Sequence, residues 1–141
     1  MEDISAPNCF YIETELKKKL NIPVFHDDQH GTAIVVLAGL INALKLRQAE
    51  QQDTVGIGLC EASSTCRDVP IRDKLRIVIS GAGAAAIAIG KLLHQAGATN
   101  IIFTDSKGII SSQRSDLNPF KKEVLPFNLH DVAGTLQDAL Q

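Results

Sequence analysis

One stretch constrains the fold of this chain more than any other. Arg76-Ile77-Val78-Ile79-Ser80 is a continuous apolar run of strand length, and Gly81-Ala82-Gly83-Ala84-Ala85-Ala86 follows it directly. A helical pattern then runs from about Ala84 to Ala96, with Gly97 as the residue that closes it. Asn100 to Thr104 is a second strand, and Asp105 stands at its carboxyl end. Strand, G-x-G-x-x-A, helix and strand in this order make one βαβ unit. Gly81 permits the tight turn. Gly83 lets the backbone approach a pyrophosphate, and Ala86 allows close helix–strand packing. The first turn of the helix offers free N–H groups and positive dipole to phosphates. The expected fold class is α/β, a partial Rossmann-type parallel sheet with flanking helices. Asp105 lies 22 residues beyond Gly83, where an acid accepts hydrogen bonds from an adenosine ribose. Asp105 favours a free 2′-hydroxyl and Lys107 attracts a 2′-phosphate, so the choice between NAD and NADP stays open.

The second feature is His26-Asp27-Asp28-Gln29-His30-Gly31-Thr32-Ala33. Adjacent carboxylates beside a core are costly unless neutralised, and a divalent cation does this well. A further acidic pair, Glu2-Asp3, stands about 25 residues earlier. A helix packing back along a strand would bring both pairs to one sheet edge. Three carboxylates there would suit Mg²⁺ or Mn²⁺. Asp27-Asp28 reads equally well as a polar helix start, with Asp28 favoured by the helix dipole. The i, i+4 spacing of His26 and His30, with Cys60 and Cys66 downstream, is a poor zinc pattern. His94 and His130 read as ordinary surface histidines.

Around these motifs the expected organisation is simple. Ser5 or Asn8 caps a helix from about Cys9 to Leu20, whose Lys17 to Lys19 suit its carboxyl end. Pro23-Val24-Phe25 is a short buried strand. A buried core helix runs from about Gly31 to Leu46, where Ala33, Ala38, Gly39 and Ala43 suggest a close backbone neighbour. Its apolar run, Ala33 to Leu46, is too short to span a bilayer. Gln48 to Asp73 reads as a long irregular connection, with a short strand at Val55 to Leu59. Lys107-Gly108 begins a loop, Pro119 opens a short helix at N1, and Thr135 caps a last helix to Gln141.

The composition fits a globular α/β domain. An apolar fraction of 45% over 141 residues supplies a core, and the net charge of −2 offers no attraction to nucleic acid or an anionic membrane. Three cysteines leave one unpaired in any disulfide scheme. Without a secretion signal, the expected setting is reducing and cytoplasmic.

The chain resembles the malic enzymes, most closely the bacterial type. The resemblance is carried by Glu2 to Phe10, Asn21 to Ala33, Val78 to Ala88, Asp105-Ser106-Lys107-Gly108 and Leu117-Asn118-Pro119. It implies oxidative decarboxylation of malate to pyruvate with NAD or NADP and Mg²⁺ or Mn²⁺, in a homo-oligomer when intact. It implies that Glu2, Asp3 and Asp28 bind the metal and that Asp27 sits beside the catalytic lysine. Gly81, Ala82, Gly83 and Ala84 match the pyrophosphate turn. It divides the chain into 1–47, the end of the substrate and metal region, an irregular connection or insertion at 48–74, and 75–141, the first part of the NAD(P)-binding domain. The family's tyrosine and lysine for acid–base chemistry precede the acidic pair, and its substrate asparagines follow this region. Impaired turnover is therefore expected, with a non-catalytic dinucleotide-binding or partner-binding module as the alternative.

Overall fold

The structure is a computed structural model that describes residues 1–53 and 75–141, and the side chains of 48–53 are not considered. The expected strand at Val55–Leu59, most of the expected irregular connection, Cys60 and Cys66 lie outside the described residues. Helices α1 (Asn8–Lys19) and α2 (Asp27–Asp53) precede strand β1 (Arg76–Ser80). Helix α3 (Ala84–Gln95) leads to β2 (Asn100–Asp105) and β3 (Gly108–Ile109), and α4 (Pro119–Lys122) and α5 (Leu136–Ala139) follow. The sheet has the order β1-β2-β3. β1 and β2 are parallel, with Val78 opposite Ile102, as the βαβ reading requires. β3 was not expected. It pairs antiparallel with β2 over two residues, too few for any periodicity to show.

Strand alternation sorts the core onto both faces of the sheet. Ile101 and Phe103 are buried beside Ile87 and Leu93 of α3, with Ile77 and Ile79 packed against them. Ile102 and Ile109 meet Ala139 on the opposite face, with Val78 and Val132 alongside. Gly90 lies where α3 crosses Phe103, and a Cβ there would overlap the ring. Alanine normally gains about 1 kcal/mol over glycine within a helix. Here Gly90→Ala is expected to lower stability by about 1–3 kcal/mol through overpacking. Denaturant unfolding checks this, and a stabilised variant would show that the ring yields freely.

The amino-terminal half departs from expectation in four places. Neither Ser5 nor Asn8 caps α1 with its side chain, and Pro7 occupies the cap position. Pro23-Val24-Phe25 forms no strand, and Phe25 is about half exposed. Helix α2 begins at Asp27 rather than Gly31, so both carboxylates stand in its first turn. The acidic residues are compatible with the helix dipole, and Gly31 leaves room for the Asp27 carboxylate to fold over it.

The fourth departure concerns the burial of α2. Ala33 is buried, and Leu37, Leu40 and Leu44 pack toward α3, but Ile34, Val35, Val36 and Leu46 are exposed. Ala38 and Ala43 are exposed and Gly39 has no close neighbour, so the seam uses Ala33 and the leucines rather than the small residues. Because the helix starts earlier than the apolar run, Asp27–Arg47 is 21 residues long with mean hydropathy 1.2, long and apolar enough to cross a membrane by length and composition. The spacing of Ala33, Leu37, Leu40 and Leu44 is that of one helix face packed on a core.

Candidate functional site

The glycine turn takes the conformation the sequence predicts. Gly81 has φ +121, a region costly for residues with a Cβ. Its N–H donates to the carbonyl of Thr104 at 2.9 Å, which fixes the turn beside the end of β2. Gly83 is the N-cap of α3 and supplies no side chain to cap it. Its missing Cβ faces open space, as does that of Gly81. The uncapped first-turn amide groups of α3, the helix dipole and the open approach over Gly81 and Gly83 coincide along Gly81, Ala82, Gly83 and Ala84, an arrangement that fits a dinucleotide pyrophosphate.

Asp105 stands at the carboxyl end of β2, as expected, and its surroundings were not expected. Its side chain is only 9% exposed and lies in a bidentate pair with Arg114, at 2.8 and 3.1 Å. Lys121 Nζ donates to Oδ2 at 2.6 Å and the Lys107 N–H to Oδ1 at 2.9 Å. Burial by itself would raise the pKa of this carboxyl group. The hydrogen bonds from Arg114, Lys121 and Lys107 outweigh it and hold the group well below the usual carboxylate range. Arg114 also binds Asp116, at 2.9 Å through both Nε and Nη2, and Lys107 reaches Asp116 at 2.7 Å. No sequence periodicity links Arg114 to Asp105, because the pair closes across a loop. Asn118 accepts from the Lys121 N–H at 2.9 Å, so the cap of α4 orients the helix that carries Lys121.

The acidic pairs do approach one another, through the backbone rather than along a strand. The Met1 ammonium donates to the Phe25 carbonyl at 2.8 Å, and the Asp27 N–H to the Met1 carbonyl at 3.0 Å. The Asp3 N–H then donates to Asp28 Oδ2 at 2.7 Å. This ties Asp3 to Asp28 without gathering the carboxylates of Glu2, Asp3 and Asp28. Among the described residues, no group of three or more His, Cys, Asp or Glu side chains is arranged to hold a metal ion. The arrangement therefore does not fit an assembled Mg²⁺ or Mn²⁺ site.

The two histidines flanking this loop have separate roles. His26 is fully buried, and Gln29 Nε2 donates to its Nδ1 at 3.0 Å, which leaves the ring proton on Nε2. Nε2 lies 3.5 Å from Asp28 Oδ2, an ion-pair distance only, and makes no hydrogen bond. His30 instead donates to Glu13 on α1 at 2.7 Å. Burial would raise the Glu13 pKa, but Lys17 and His30 outweigh it and lower the value. The pair sits in a cleft between α1, α2, α3 and α4, lined by Phe10, Ile87, Lys91 and Phe120. Cys9 is a buried thiol whose pKa is raised by burial, in keeping with an inert role. His94 bonds the Ala98 carbonyl at 2.9 Å and stacks on Phe127, a structural part at the end of α3.

No family model matches the chain. Almost its full length is nevertheless similar to part of several curated proteins. The bifunctional malic/malolactic enzyme of Bacillus subtilis is 46% identical over 99% of this chain, which spans 30% of that protein. The NAD-dependent malic enzyme of Geobacillus stearothermophilus is 42% identical over 99% of the chain and 25% of its own length. The NADP-dependent malic enzyme of Halomonas elongata is 46% identical over all of the chain and 28% of its own length. Among solved structures, the NAD-dependent malic enzyme of Thermotoga maritima superposes with a TM-score of 0.78 at 36% identity, over 99% of this chain and 32% of that one. The Entamoeba histolytica malic enzyme gives 0.74 at 34% identity, over 97% and 26%. The chain thus spans about a quarter to a third of the length of these relatives.

Proposed function

We propose that this chain, whose homologues are NAD(P)-dependent malic enzymes, supplies the first βαβ unit of a dinucleotide site for the oxidative decarboxylation of malate to pyruvate. The observation that carries the reading is the conjunction at the glycine turn. Gly81 has a positive φ that favours glycine, the α3 terminus lacks a side-chain cap, and the space over Gly83 is open. The backbone of Gly81 to Ala84 would hold the pyrophosphate, and α3 would direct its dipole at it. A bound nicotinamide supplies acceptance of a hydride from a hydroxyl-bearing carbon. Glu2, Asp3 and Asp28 carry no step in this reading, because their carboxylates do not form a ligand set.

Titration of the chain with NAD⁺ and NADP⁺ tests the reading. Gly83→Glu keeps the backbone conformation, since Gly83 has φ −86 and an open Cβ direction. It places a carboxylate where the phosphates would lie, and is expected to weaken dinucleotide affinity by about tenfold or more with the fold intact. Unchanged affinity would show that nucleotide binds elsewhere. Because the chain spans 30% of the length of the Bacillus subtilis relative, the expected behaviour of the chain alone is binding with little malate turnover.

A further inference from the structure

We propose that the cleft between α1, α2, α3 and α4 is a second binding site, which takes a small organic amine in its ammonium form with an apolar body. The cleft has a volume of about 580 Å³, within the range of small-molecule sites. Such sites combine apolar walls with a few placed polar groups, and this cleft has both. Phe10, Phe25 and Phe120 line it, with Ile87 and Leu92. Phe10 and Phe120 stack on one another, so that wall is aromatic and held in place. Neither Gly81 to Ala84 nor Asp105 lines the cleft, so the inference stands apart from the dinucleotide reading.

Glu13 sets the charge of the ligand. Its side chain is 9% exposed. Both of its partners meet the same oxygen, Oε1: the Lys17 ammonium at 3.0 Å and His30 at 2.7 Å. Oε2 accepts no hydrogen bond from the described residues. This oxygen is not sealed from solvent, and Glu13 lines the cleft, so Oε2 is open to a ligand there. Lys17 and His30 keep the carboxyl group ionised. A buried carboxylate with an unused acceptor is costly, and an ammonium N–H on Oε2 would relieve that cost. Aromatic walls favour the same charge, because a ring face attracts a cation. The lysines of the cleft do not offer the opposite preference. Lys17 is committed to Glu13 and Lys91 to Glu123, and both lysine side chains are about half exposed. An anion would have to displace these pairs and share the cleft with the Glu13 carboxylate.

The test is titration of the 141-residue chain at neutral pH with phenethylamine and with phenylacetate, followed by backbone amide NMR. These probes share an aryl body and differ in charge. The expected result is amine binding with a Kd below about 1 mM and binding of the acid about tenfold weaker or more. The shifted amides should centre on Glu13, His30 and Phe120. Glu13→Gln keeps an acceptor for His30 and removes the charge. It should weaken the amine about tenfold and leave the acid bound no more weakly than before. Phe25→Ala alters a half-exposed residue outside the core and should weaken the amine about threefold with the fold retained. If Glu13→Gln does not fold, the contrast between amine and acid and the Phe25→Ala variant carry the test. Equal binding of amine and acid, shifts centred elsewhere, or amine affinity indifferent to the folded variants overturns the proposal. So does failure of the amine to bind.

Discussion

Arg114→Ala is expected to destabilise the chain by about 3 kcal/mol, toward the lower end of what breaking a buried ion pair costs. The substitution leaves the Asp105 carboxylate, 9% exposed, without its bidentate partner. Lys121 and the Lys107 N–H remain, which keeps the loss from being larger. Denaturant unfolding at neutral pH measures it, and a loss under about 0.5 kcal/mol would place the pair among surface ion pairs of little consequence. The sign of the pH dependence follows from the lowered pKa of Asp105. A carboxyl whose folded pKa is depressed contributes stability above its unfolded value, near 4, and loses it as pH falls toward the folded value. The parent chain should therefore lose stability on acidification below about pH 5. In Arg114→Ala the component of that slope due to Asp105 should flatten. Arg114→Lys keeps the charge but loses the planar two-pronged contact, and should fall between the two.

Phe103→Ala should cost about 3–5 kcal/mol, as the loss of a buried phenyl group generally does. Phe103 is 1% exposed and packs in the core formed with Ile87, Leu93 and Ile101. A cycle with Gly90→Ala separates cavity formation from overpacking. The methyl group that Gly90→Ala adds projects into the space that the Phe103 ring occupies. The same substitution should therefore become neutral or stabilising once Phe103 is replaced. Additive effects would mean that the ring is not what Gly90 accommodates. If Phe103→Ala abolishes the cooperative transition, Phe103→Leu supplies the same cycle at lower cost.

The βαβ half was legible because each signal there is local. β1, the glycine turn, α3 and β2 follow one another with no long-range information needed, and Asn118 and Thr135 cap their helices as their residue types suggest. The α2 boundary was misplaced because Gly31 reads as a break, whereas its missing side chain gives the Asp27 carboxylate room. Val24 and Phe25 are strand-forming residue types but have no strand partner among the described residues. At the candidate site, the position of Asp105 was readable and its chemistry was not. Arg114 and Lys121 follow it by 9 and 16 residues, across turns whose geometry no pattern encodes. The approach of Asp3 to Asp28 was anticipated in outline. The backbone bond that makes it was not, because main-chain donors leave no mark in a sequence.

Helix α4 is a single turn, yet its adjacent residues Phe120 and Lys121 engage two different parts of the molecule. The Phe120 ring stacks on Phe10 of α1 with centroids 4.3 Å apart, while Lys121 reaches Asp105. So short an element has little freedom to answer the two neighbours independently. A movement of α1 that keeps the rings stacked would carry α4, and Lys121 with it, away from Asp105. The seating of the first helix and the neutralisation of Asp105 thus share one short element.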